Sequence, residues 1–164
     1  MAISATVALW FLPFVLPLCF YVAFTDMKQM RITNQAVVLL GVIFVVIGLI
    51  VLPFDVYLWR LMSLIIVLAV GILLNAAGVM GAGDAKFAAA AAPFIALGDL
   101  RLLMALFMAT LLAAAATHRA AKYSPLRRLA PEWQSWQETK KFPMGLALGT
   151  TLALYLILGA LYGR

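Results

Sequence analysis

Residues 36–52 read AVVLLGVIFVVIGLIVL, seventeen positions from Ala36 to Leu52 with no charged side chain among them. Wound as a helix at 1.5 Å per residue, the stretch covers about 26 Å, close to the roughly 30 Å of hydrocarbon in a bilayer. The rest of the chain is written in the same alphabet. Of 164 residues, 66% are hydrophobic and 11% charged, with a mean hydropathy of +1.09. A soluble domain of this size has too much surface to cover for so few charges, whereas a bundle in lipid needs polar residues only in its loops and sites. Composition therefore predicts a single all-α integral membrane domain over residues 1–164.

Apolar runs predict six transmembrane helices, near Ala5–Phe24, Ala36–Leu52, Leu61–Ala77, Ala85–Leu97, Arg101–Thr117 and Pro143–Tyr162. The fourth is short. Its thirteen residues give about 20 Å of helix, interrupted by Pro93 and stopped by Gly98-Asp99. Either the bilayer thins there or the helix starts below the membrane surface and sinks Asp84 beneath the headgroups. A re-entrant hairpin of the fourth and fifth runs would leave the loop topology unchanged.

Orientation follows from the basic residues. Lys28, Arg31, Lys86, Arg119, Lys122, Arg127, Arg128, Lys140 and Lys141 fall on one side, and Arg60, Arg101 and Arg164 on the other. Nine against three places the first set in the cytoplasm and both termini outside. The net charge of +6 is distributed by this rule, which argues against nucleic acid as a partner. Attraction of the loop His118–Phe142 to anionic lipid is the simpler consequence. Tyr57, Trp59, Trp133, Trp136, Tyr155 and Tyr162 read as interfacial anchors. Cys19 is the one cysteine and His118 the one histidine, so no disulfide, metal site or cofactor is expected. Leu16-Pro17-Leu18-Cys19 lacks the small residues of a lipoprotein cleavage site, and no removed signal peptide is expected.

Two aspartates stand where lipid disfavours them. Asp26 closes the first run, and Asp84 opens the fourth inside Gly81-Ala82-Gly83-Asp84. A carboxylate at membrane depth costs about 2.5–3.5 kcal/mol on insertion scales, so such residues mark function by default. Both fall on the cytoplasmic side. Two carboxyls sharing one proton can act together, the ionised one activating water while the protonated one polarises a peptide carbonyl. The competing reading makes them ordinary helix-end residues, with Asp84 as an N-cap. Gly78, Gly81 and Gly83 leave the backbone bare beside Asp84, where an extended substrate strand can approach.

Gly81-Ala82-Gly83-Asp84-Ala85-Lys86 resembles the Gly-x-Gly-Asp-x-Lys motif of type IV prepilin peptidases, intramembrane aspartyl proteases. Asp26-Met27-Lys28-Gln29-Met30-Arg31-Ile32-Thr33-Asn34 is similar to the family's other aspartate segment, with Thr33 where the family has proline. Phe142-Pro143-Met144-Gly145 resembles the Pro-x-Gly element that opens its last helix. The four-cysteine cytoplasmic insertion of larger members is missing, so the chain resembles the short branch serving Flp-type pili. The resemblance implies a membrane-embedded aspartic endopeptidase of the bacterial inner membrane, with Asp26 and Asp84 catalytic. It implies a prepilin substrate with a basic leader, a glycine before the cleavage site and a hydrophobic helix, cut at the cytoplasmic face without N-methylation.

Gly81, Gly83, Lys86, Arg31, Asn34, Pro143 and Gly145 are candidate substrate-binding or supporting residues. Lys86, two positions after Asp84 and about 200° round the helix from it, reads equally as a surface anchor. Arg31 and Asn34 orient the loop or bind substrate backbone. Asn75 reads as a hydrogen bond across the bundle, His118 as a solvated flank, and Asp55 and Asp99 as capping or solvated residues of the outer face. Two rival functions use the same residues: a small proton-coupled transporter and a non-catalytic assembly factor of a pilus or secretion machine. Oligomeric state is not legible.

Overall fold

The computed structural model describes residues 1–138 and 142–164; Lys140 and Lys141 of the inner basic set lie outside the described residues. Among those residues the chain is helical, without a strand. Five helices are long and apolar enough to cross a membrane: α1 (Ala5–Gln29), α2 (Asn34–Val51), α3 (Phe54–Ala76), α5 (Leu100–Lys122) and α7 (Met144–Tyr162). Between them lie a ten-residue α4 (Ala82–Ala91) and a four-residue α6 (Gln134–Gln137).

The boundaries follow local chemistry. Ser4 caps α1 by accepting from the Val7 N–H at 3.3 Å, and Thr33 caps α2 by accepting from Ala36 at 3.3 Å. Thr33, the departure from the family pattern, thus does work a proline side chain cannot. At the far end α1 runs past Phe24 to Gln29, so Asp26 sits in its last turn rather than after it. Met30 ends the helix in the left-handed region, at φ 51°. Non-glycine residues rarely stand there. Pro53 opens α3 at Phe54, earlier than the apolar run suggests, because the first turn tolerates proline and a polar Asp55.

The fourth run departs most from its expected span. It starts at Ala82, breaks before Pro93, and is continued by two 3-10 turns, Ala92–Phe94 and Leu97–Asp99. It carries the chain from the Asp26 end of the bundle to the end where residues 2 and 3 lie. Residues 93–96 of this irregular stretch are buried, and polar groups among them are met. Arg60 donates to the carbonyls of Pro93 at 3.4 Å and Phe94 at 3.2 Å, and the Ala96 N–H donates to the Tyr155 hydroxyl at 3.0 Å. Non-helical backbone at membrane depth survives only where protein satisfies it in this way.

Packing is close where side chains are small. α7 lies along α1 because Gly145, Gly149 and Gly159 face Asp26, Cys19 and Ile3. Thr110 and Thr151 share a 2.6 Å hydrogen bond that joins α5 to α7. α4 is wedged beside both α2 and α3, with the Ala85 methyl filling the place of a side chain at Gly71. The centre of the bundle is a cluster of rings, with Phe94 edge-on to Phe11 at 4.8 Å and to Phe44 at 5.3 Å. Such pairs add roughly 0.5–1.5 kcal/mol each beyond burial.

At the end opposite Asp26, Asp99 is a structural hub and not a cap or a solvated residue. It is 6% exposed, makes no capping bond, and accepts from the N–H groups of Ala2 at 2.7 Å and Ile3 at 3.0 Å and from the Tyr155 hydroxyl at 2.9 Å. Tyr155 is accordingly a core residue, not a belt residue, and so is Tyr57, stacked on Phe44 with its hydroxyl on the Val45 carbonyl. Trp59 and Tyr162 are exposed, as anchors are. Trp136 is buried against His118, which is likewise no solvated flank.

Candidate active site

Where α1 ends and α4 begins, the bundle encloses a cavity of about 730 Å³. Five segments wall it: the end of α1 with the turn into α2, the end of α3, the loop into α4, the first turns of α4, and the start of α7. Asp26 and Asp84 both line it. The two carboxyls singled out from sequence, 58 positions apart, meet in one hollow.

Asp26 is held by a backbone amide. Asp26 is 5% exposed, and its Oδ2 accepts from the Gly145 N–H at 2.6 Å. A side chain at 145 is sterically barred, because its Cβ would stand 2.9 Å from both Cβ and Oδ2 of Asp26. That is the physical meaning of the glycine in the Pro-x-Gly element. Asp84 is not the N-cap of α4. Gly81 holds that place, and Asp84 stands three residues on, in the first turn of α4, with its carboxyl turned back toward Gly81. The positive end of the helix favours a carboxylate there. A Cβ at Gly81 would come within 2.7 Å of the Asp84 Oδ2, so the close approach requires glycine.

The supporting candidates are distributed unequally. Arg31, Asn34, Gly81, Gly83 and Lys86 all line the cavity. Lys86 donates to the Asn34 Oδ1 at 3.2 Å and so ties the start of α4 to the start of α2, despite its angle from Asp84 round the helix. Gly83 lies inside α4 with its open side against Ile32, so the bare, non-helical backbone beside Asp84 is limited to Gly78–Gly81. Gly78 itself turns at φ 72°. Pro143 is buried at the position before α7 and is not in the wall, whereas its neighbours Phe142 and Met144 are. Asn75 bonds locally, donating to the Met80 carbonyl at 2.8 Å and closing the loop before Gly81, rather than reaching across the bundle.

Sequence reasoning missed the apolar walls: Met30, Ile32, Leu74, Met80, Phe142 and Met144. Nothing in a hydropathy plot separates them from lipid-facing residues. For Phe142 and Met144 a signal existed, since they interleave with Pro143 and Gly145.

Long apolar helices closing one end around two acidic side chains define a polytopic membrane protein with a carboxyl-lined site. Residues 13–118, more than half of the chain, match the family model described as the type IV leader peptidase family, and the chain belongs to that family. It is a multi-pass inner-membrane peptidase that removes leaders from prepilins. The matched stretch contains Asp26 and Asp84 but stops short of Phe142–Gly145. No curated protein and no solved structure matches the chain.

Proposed function

We propose that Asp26 and Asp84 are the acid–base pair of this peptidase. One, ionised, takes a proton from the attacking water; the other, protonated, donates to the carbonyl oxygen of the scissile peptide, and the roles reverse as the amine leaves. The observation that carries the reading is their shared cavity at one end of the bundle, with Asp26 anchored by the Gly145 amide. The non-helical loop Gly78–Gly81 borders the cavity where an extended substrate would lie, and Arg31, Lys86 and Asn34 edge the same opening.

The chain crosses the membrane six times in this reading, with α4 and its 3-10 turns as the short fourth crossing and both termini outside. The cavity then opens to the cytoplasm, where a basic leader is presented with a glycine at the cut and a hydrophobic helix in the bilayer. The substrate is a Flp-like prepilin, and the product amine is not methylated. A conducting function finds no support. The acidic pair at one end is separated from Asp99 and Arg60 at the other by the fully buried Phe11, Phe44 and Phe94.

The test is leader removal from such a precursor by purified enzyme in detergent, read as a gel shift. Asp26→Asn and Asp84→Asn should each abolish it while the protein stays folded. Substantial cleavage by folded Asp84→Asn refutes the mechanism.

A further inference from the structure

The loop between α5 and α7, read from sequence as a basic tether with two interfacial tryptophans, carries a row of rings that ends on both sides of the Asp26–Gly145 hydrogen bond. Phe24, two residues before Asp26, meets Trp133 edge-on at 5.8 Å. Trp133 stacks on Trp136 at 5.6 Å and 13°, and Trp136 stacks on His118 at 5.1 Å and 16°. His118 meets Phe142 edge-on at 5.8 Å, and Phe142, three residues before Gly145, forms part of the cavity wall. The row thus starts on the helix that bears Asp26 and finishes on the segment that bears its hydrogen-bond donor.

Its middle is fixed. Trp136 is 5% exposed and donates its indole N–H to the Ala130 carbonyl at 2.8 Å, and Ser135 beside it is fully buried. Lys122, in the last turn of α5, donates to the Glu138 carbonyl at 2.9 Å and holds the loop to that helix. His118 enters the row as a ring. Its Nε2 is buried without a hydrogen-bond partner among the described residues. An interfacial belt needs exposed tips in the headgroups. A row whose central ring, Trp136, is buried and hydrogen-bonded is a different object.

We infer that this row is a brace: Trp136 and His118 are positioning residues that set the distance between Asp26 and the Gly145 N–H, and through it the aim of the Asp26 carboxyl into the cavity. The inference rests on the reading of Asp26 as half of the acid–base pair. Neither ring touches substrate. Their loss acts on turnover and not on binding, because a displacement of about 1 Å in a reacting group lowers the rate roughly a hundredfold while the substrate's remote contacts are untouched.

The experiment measures kcat and KM per folded, monodisperse enzyme on a precursor with a basic leader, a cleavage-site glycine and an apolar helix. The variants are Trp136→Ala, His118→Ala, the ring-preserving Trp136→Phe and His118→Phe, and Asp26→Asn beside them. The brace predicts that both alanine variants lose at least about tenfold in kcat with KM within about twofold, and that both phenylalanine variants recover to within about threefold of wild type. Wild-type kcat in a folded alanine variant overturns it, as does a raised KM at unchanged kcat, which makes the loop a substrate contact. If the alanine variants do not fold, the phenylalanine variants decide: loss of turnover in folded His118→Phe shows that the imidazole and not the ring matters, and the brace fails. Normal cleavage by Asp26→Asn sinks the acid–base reading itself; an inert Asp26→Asn beside wild-type alanine variants sinks the brace alone.

Discussion

Replacing Gly145 by alanine is a small chemical change with a large expected effect. The added Cβ would lie 2.9 Å from the Asp26 Cβ and Oδ2 and 3.0 Å from its Cγ. Carbon atoms rest at about 3.5–4.0 Å, so the last turn of α1 and the start of α7 must separate by roughly 0.6–1 Å. The 2.6 Å bond from the Gly145 N–H lengthens by a comparable amount. A hydrogen bond to a charged group is worth about 1.5–3 kcal/mol, and a reacting group misplaced by about 1 Å loses roughly a hundredfold, or about 2.7 kcal/mol of barrier. The two routes agree on a fall of roughly ten- to a hundredfold in kcat. Stability should fall by about 0–2 kcal/mol, since overpacking costs about 1–3 kcal/mol while alanine gains about 1 over glycine in helix preference. Gly41→Ala is the control, because nothing lies within 4 Å of a Cβ there. It should retain full activity. Precursor cleavage in detergent, with thermal stability measured on the same preparation, makes the test. Folded Gly145→Ala cleaving within threefold of wild type would refute the claim that this contact aims Asp26.

Four further outcomes are expected. The double variant Asp26→Asn, Asp84→Asn should be scarcely slower than either single one, since removing one member already disables a unit that acts together; additive losses in single-turnover rates would separate their roles. Asp99→Asn should lower stability by a few kcal/mol, because an amide cannot accept from the Ala2 and Ile3 N–H groups and the Tyr155 hydroxyl at once, and Tyr155→Phe by about 1–2; an unchanged melting temperature for Asp99→Asn would contradict the hub. In a Cys19→Ala background, single cysteines at the exposed positions Gln29, Ala82 and Gln134 should be shielded from an impermeant thiol reagent in intact cells and one at exposed Leu97 labelled; the opposite pattern inverts the orientation. Mass spectrometry of pilin matured by this enzyme alone should show an unmodified amine, and an added methyl group would refute cleavage without transfer.

The helical class and five of the spans were legible because apolar length is a one-dimensional property, readable residue by residue. The aspartate pair was legible too, since each carboxyl interrupts an apolar run at the same side. What hydropathy could not show is which polar residues turn inward. Tyr155 and Arg60 look like ordinary flank residues, yet they satisfy backbone that the break at Pro93 leaves without helical partners, and Asp99, as bland in sequence, accepts from the N–H groups of Ala2 and Ile3. Trp136 and His118 are bland in sequence for a similar reason: a stack is made by the path of a loop, and no local period records it. Gly83 erred in the other direction, its lack of a side chain serving helix contact rather than an open strand.

Arg60 has a consequence for the order in which this protein is built. Its guanidinium belongs to the third helix, but the carbonyls it serves belong to Pro93 and Phe94, more than thirty residues later in the chain. During synthesis the third helix therefore enters the bilayer with a cation that has as yet no partner, at a cost of up to about 2.5–3.5 kcal/mol if it sits at mid-depth. Its placement stays provisional until α4 and its 3-10 turns emerge and close over it. A neutral residue at position 60 would ease the first event and strand the second, so insertion of an early helix and completion of a late one are bound to the same side chain.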